Sequence, residues 1–298
     1  MTATASYRTS PIKRNRRSKA EIDELKLRIW LLLEDEQPVT IRHLFYRLVS
    51  KGIIEKSEAE YKNVVCRLTA EMRLEGELPF EWLVDETRWM RKPATFSSPE
   101  AALENCRNTY RRAMWDAQPY YVEVWCEKNA IASILYEETH KYDVPLMAAV
   151  GFSSLSFLKS TARIIEAKKK TTRIFYFGDH DPSGLAISQT IEARMKQFAP
   201  DVEIHLERLT IRPEQIKEWN LPTRPTKMTD SRAKNFDGES VEVDAVPAAQ
   251  LQQLCRDAIE SLVDAKAWNT VRVAEESERE SLSTFIEMYR SNGGSYVS

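Results

Sequence analysis

YYVEVWCEK, residues 120–128, and TRIFYFGDHDPSG, residues 172–184, decide how this chain folds. Each opens as a short run of β-branched and aromatic residues, the composition of a buried strand, and each ends abruptly on acids. Between and after them lie helical patterns in NAIASILYEETHK (129–141), SSLSFLKSTARIIEAKK (153–169) and GLAISQTIEARMKQF (184–198). Two further apolar runs, VPLMAAV (144–150) and VEIHLERL (202–209), read as strands. Strands alternating with helices predict a Rossmann-like parallel sheet with helices on its faces, so the second part of the chain is expected to be α/β.

In such a sheet the functional site lies beyond the carboxyl ends of the strands. Glu127 immediately follows the first strand, and Asp179 and Asp181 follow the third. If those strands are neighbours, three carboxylates face one pocket, and their repulsion must be relieved by a cation or by protonation. A hard divalent ion suits that donor set: Mg2+ takes few protein carboxylates and leaves positions for phosphate oxygens. The plain alternative is that an acid at a strand end is a turn residue or a helix cap. Pro182 and Gly184 argue for more, because they shape the turn and would leave both aspartates available.

Upstream, residues 19–92 read as helices. Ile22, Leu25, Ile29 and Leu32 recur at helical spacing, Pro38 stops that helix, and Thr40 caps IRHLFYRLVSK (41–51) ahead of Gly52. Ser57 and Glu60 form a capping box for a third helix that runs to Gly76. Three helices in this order resemble a winged helix, whose third helix would carry Lys62, Asn63, Arg67 and Arg73 to DNA; otherwise these are solvated surface residues. Arg42 lies one helical turn before Tyr46, where a guanidinium favours phenolate and holds a phosphate. His43 is a weaker candidate for proton transfer and reads more simply as a core or surface histidine. Taken alone, FYRL is an amphipathic fragment in which Tyr46 packs.

The Pro-, Ser- and Thr-rich stretch 91–100 reads as a linker, and Pro99 begins an amphipathic helix to about Asp116. The expected organisation is thus a basic arm (1–18), the helical domain (19–92), a linker and connecting helix (93–118), and the α/β domain with a C-terminal helical extension (119–298). Two long helices close the chain, the last so charged that an exposed or oligomerising role is expected. Net charge is only −2, yet the first twenty residues are purely basic, which suits a flexible arm on a phosphate backbone or simply a solvated tail. The four cysteines form no CxxC pair and indicate neither a zinc knuckle nor a disulfide framework, so they read as reduced, mostly buried thiols. No apolar run approaches the roughly 20 residues of a membrane helix, and no secretory signal is evident, so a cytoplasmic protein is expected.

R-x-x-F-Y at residues 42–46, E-K at 127–128, D-x-D-P-x-G at 179–184, KMTDSR at 227–232 and VEVDAVP at 241–247 occur in this order. The acids resemble those of the Toprim domain of topoisomerases, primases and related nucleases. The whole series, over residues 20 to 265, resembles the A subunit of topoisomerase VI and its meiotic relative, the transesterase of programmed double-strand breaks. Among these it is most similar to the compact stand-alone forms called Mini-A, found in mobile elements. Two departures stand out: Phe45 replaces the first tyrosine of the pair, and GFSS at 151–154 replaces a glycine-tyrosine-proline turn.

The resemblance implies an ATP-independent, type IIB topoisomerase-like transesterase acting on double-stranded DNA. It implies Tyr46 as nucleophile, Arg42 as its helper, and Glu127, Asp179 and Asp181 as Mg2+ ligands. It also implies a homodimer in which one protomer's tyrosine works with its partner's metal, and a separate ATPase partner for gate opening, since the chain carries no Walker A sequence. Two rival readings remain: a Toprim nuclease that uses water while the winged helix only positions DNA, and a DNA-binding scaffold with a vestigial metal site.

Overall fold

A computed structural model describes residues 17–84, 93–149, 154–226, 236 and 238–291. Most of the expected basic arm, the GFS of 151–153 and the KMTDSR segment lie outside the described residues.

The protein is α/β, with a four-stranded parallel sheet as its centre. Helix α1 (Lys19–Glu36) starts at Ser18, whose side chain and that of Glu21 form a reciprocal cap. A two-residue strand β1 (Val39–Thr40) leads into α2 (Ile41–Ser50), where Thr40 accepts the His43 amide at 3.1 Å. The third expected helix begins as α3 (Glu58–Glu60) under Ser57 and ends as α4 (Arg67–Leu74). Between them the Tyr61–Cys66 turn is π-helical rather than α-helical. There the Tyr61 ring meets Phe45 of α2 edge-on, 5.3 Å between centroids. β2 (Leu83–Val84) pairs in parallel with β1.

Helix α5 (Pro99–Thr109) is shorter than its sequence pattern suggested and has no fully buried residue. The four expected strands are all present as β3 (Tyr121–Cys126), β4 (Leu146–Ala148), β5 (Thr172–Phe177) and β6 (Ile204–Thr210). They lie in the order β4-β3-β5-β6, so the strands that precede Glu127 and Asp179 are neighbours. α6 (Ala132–Thr139), α7 (Leu155–Lys168) and α8 (Pro182–Phe198) link them, a short α9 (Pro213–Glu218) follows β6, and α10 (Ala248–Glu260) and α11 (Ala265–Ser291) close the chain.

One apolar cluster runs from α1 and α2 (Leu25, Leu33, Leu44, Leu48) through β3 and β5 (Val124, Phe177) to α10 (Leu251, Ile259). A second, around Trp125, Tyr176, Ile165 and Ile191, lies between the sheet, α7 and α8. The N-terminal helices therefore share one apolar core with the sheet, α2 packing on the Val243–Ala245 turn. Behind α2, the Arg47 guanidinium grips buried Glu36 through both carboxylate oxygens at 2.8–2.9 Å and reaches the Ala245 carbonyl at 3.5 Å. No described helix is long and apolar enough to cross a membrane.

Candidate active site

Register fixes the first pair of acids. Cys126 stands opposite Phe177, so β3 and β5 end level, and the Glu127 amide donates to the Phe177 carbonyl at 2.9 Å. The Glu127 Oε2 then accepts the Asp179 amide at 3.1 Å and the Tyr176 hydroxyl at 3.4 Å. Gly184, in the first turn of α8, is required here by proximity: a Cβ would stand 2.5 Å from the Asp179 carbonyl oxygen and 3.1 Å from Glu127 Oε2. Burial, reinforced by the nearby Asp179 charge, pushes the Glu127 carboxyl up to about 7. Burial also raises Asp179, opposed by Lys128 and by the Val243 amide.

Asp181 is placed differently from its two companions. Its side chain caps α8 by accepting the Gly184 amide at 2.8 Å, and Arg224 lies 3.5 Å from its other oxygen. The capping alternative weighed from the sequence thus describes its resting position, although it remains near enough to raise Glu127.

The VEVDAVP segment supplies two acids to which the sequence reading gave no role. Val241 pairs with His180 in an antiparallel bridge, each amide donating to the other's carbonyl at 2.9 Å. This carries Val243 to Asp179, whose Oδ1 accepts its amide at 2.8 Å, and places Glu242 and Asp244 beside them. Lys128 sits among these acids, its Nζ 3.0 Å from Asp179, 3.2 Å from Glu242 and 3.3 Å from Asp244. One half-buried ammonium is thus shared among three buried carboxylates.

Tyr46 opens onto the same place. Helix α2 packs on the Val243–Ala245 turn, and Tyr46 and Glu242 line one cleft. Lys56 stands 4.9 Å from the Tyr46 ring centroid, with Lys128 and Arg42 each at 5.8 Å. A cleft of about 370 Å³ is lined by Arg42, Tyr46, Lys56, Lys128, Arg224 and Glu242. Within one chain the tyrosine thus lies beside its own acids.

The electrostatics differ from the sequence expectation. Tyr46 is only 6% exposed, and burial together with the Glu242 carboxylate raises its phenol above the ordinary value, so the hydroxyl rests protonated. Arg42 spends its charge elsewhere, 4.7 Å over the Tyr61 ring and 3.7 Å from Glu58. Against the cost of burial, Lys128, the Tyr46 hydroxyl and Lys56 hold Glu242 down to about 2. His43 is a core residue, fully buried and 3.6 Å from Glu36.

On the third helical stretch Lys62, Asn63 and Arg67 are exposed, Lys62 and Arg67 pairing with Glu58 and Glu71. Arg73 stands apart from them. It lies 4.6 Å over the Phe80 ring and donates to the carbonyls of Phe80 and Leu83 at 3.0 and 3.3 Å, which fastens the approach to β2.

No protein-family model matches this chain, and no curated protein matches it either.

A divalent cation can be weighed against this donor set. Glu127 and Asp179 suit one chemically: both are buried hard donors close enough for the Asp179 charge to act on Glu127, and Mg2+ is commonly held by one or two carboxylates plus water. Among the described residues no three acids, histidines or cysteines close on one point as metal ligands, because Asp181 faces α8 and Arg224.

Proposed function

We propose that this chain is a DNA strand-cleaving transesterase with Tyr46 as nucleophile, the N-terminal helices serving as a winged-helix DNA-binding unit and the sheet as a Toprim domain. The observation that supports it most is the convergence of Tyr46 with Lys128, Asp179 and Glu242 in one cleft, although 133 positions separate Tyr46 from Asp179 (179 − 46). A lone packed tyrosine has no need of such neighbours.

In this reading DNA lies across Lys62, Asn63 and Arg67, and a backbone phosphate enters the cleft. The Tyr46 oxygen attacks phosphorus, its proton passing by way of Glu242, whose low value of about 2 keeps it from retaining the proton, to the departing 3′ oxygen. The phosphorus–O3′ bond breaks, a phosphotyrosyl bond joins the protein to the 5′ end, and the 3′ oxygen, carrying that proton, leaves as a hydroxyl. Glu127 and Asp179 would hold Mg2+, which would neutralise charge developing on the phosphate. A homodimer would cut both strands, and any strand passage would draw on a separate ATPase.

The test incubates protein, supercoiled plasmid and Mg2+ or Mn2+, and compares gels with and without protease. Wild type should leave protein-bound ends that Tyr46→Phe does not. Undiminished cutting by Tyr46→Phe would instead establish hydrolysis by water, the reading favoured by one observation here, the buried and protonated state of the phenol.

A further inference from the structure

We infer that Lys56, Lys128 and Arg224 form a phosphate clamp beside Tyr46, and that its resting occupant is the chain's own Glu242 carboxylate. Three cations from three distant segments converge on this one acid. Lys56 Nζ and Arg224 Nη1 stand 2.9 and 2.8 Å from Oε1, and Lys128 Nζ stands 3.2 Å from Oε2. Lys128 is shared with Asp179 and Asp244, but Lys56 and Arg224 both converge on Oε1, a pairing of cations on one oxygen that an incoming phosphate oxygen can take over.

Exposure shows which groups can turn to a ligand. Glu242 lies at the floor, 8% exposed, while the side chains of Lys56 and Arg224 are 38% and 31% exposed along the cleft. Lys128 is anchored below by Asp179 and Asp244. Lys56 and Arg224 are less committed, Arg224 having only the longer 3.5 Å contact to Asp181 besides Glu242 among the described residues. A phosphate or phosphodiester presents two unesterified oxygens at a spacing close to that of a carboxylate, so the groups that grip Oε1 can grip it in turn. Entering there, it would also lie against the phenol. The clamp itself needs only a phosphate; that the phosphate belongs to DNA rests on the transesterase reading.

Binding is measured by calorimetric titration with inorganic phosphate and, separately, with a short oligonucleotide. If Glu242 is a resident competitor, Glu242→Gln tightens phosphate binding about three- to tenfold, and Lys56→Ala with Arg224→Ala weakens it at least about tenfold. Glu58→Gln is the control: it lowers charge on the same cleft but touches Arg42 and Lys62 instead, and should change affinity less than about twofold. Equal effects of Glu242→Gln and Glu58→Gln, or weakening by Glu242→Gln, would overturn the inference. Should Glu242→Gln fail to fold, unchanged phosphate affinity in a natively folded Lys56→Ala/Arg224→Ala variant overturns it equally. Phosphate binding by a wild-type protein that forms no DNA adduct upholds the clamp while removing the transesterase.

Discussion

Glu127 and Gly178 meet across the adjoining ends of β3 and β5 with no room between them for a methyl group. A Cβ on Gly178 would stand 2.7 Å from Glu127 Oε2 and 2.4 Å from the Tyr176 ring. Glycine is thus fixed here by the Tyr176 ring and by an acid that arrives from the neighbouring strand. Gly178→Ala should destabilise the protein by about 1–3 kcal/mol, the usual cost of overpacking, and displace the Glu127 carboxylate. Denaturant unfolding reads the first effect and divalent-metal affinity the second; wild-type values of both would show that the contact does not constrain the acid.

Glu123 offers a test through pH. It is fully buried on β3, donated to by the Trp125 indole at 2.8 Å, and burial raises its carboxyl from 4.5 to about 7. Because the folded value is the higher one, this contribution to stability is fully present below about 4.5 and is lost as pH rises through about 7. The difference corresponds to about 3 kcal/mol. Wild type should therefore lose stability relative to Glu123→Gln between pH 4.5 and pH 8, followed by chemical denaturation; parallel curves would show that Glu123 is charged in the fold.

Glu36 and Arg47 form a buried pair, so removing one partner strands the other. Arg47→Ala is expected to cost about 3–5 kcal/mol. Arg47 and His43 hold Glu36 down to about 2 despite its burial, so the stability it confers is present above 4.5 and is lost as pH falls toward 2. Glu36→Gln should flatten that acid limb, a change visible in melting temperature against pH.

Lys62 and Arg67 should behave as phosphate contacts and Arg73 as a structural brace. Alanine at either of the first two is expected to weaken DNA binding for all sequences and to lower the salt-dependence slope by about 1, with little change in melting temperature. Arg73→Ala should reverse this pattern, lowering stability while leaving the salt slope in place, because its guanidinium is spent on Phe80 and Leu83. Filter binding at several salt concentrations, beside thermal melts, separates the two.

Much of the sheet was legible because its strands are uninterrupted runs such as VEVWC and RIFYF, whose burial on both faces leaves a local signature. The acids at their ends followed from the same reading, as did the helix carrying Tyr46. What escaped the sequence is non-local. Glu242 and Asp244 reach the site through a bridge between His180 and Val241, 61 positions apart (241 − 180), and no periodicity announces such a pairing. The E-K dipeptide and VEVDAVP were visible as motifs, but the role of Lys128 emerges only once three carboxylates are seen around its ammonium. The resting engagement of Asp181 and the diversion of Arg42 to Tyr61 depend equally on which neighbours the fold supplies.

The apolar cluster shared by α2, β3, β5 and α10 has a mechanical implication. Under the transesterase proposal, Tyr46 and the acids beside α2 would be held by one interior and would travel together, so a severed duplex would gain no opening from movement between them. In that proposal, parting the broken ends would fall to a seam between two copies of the molecule.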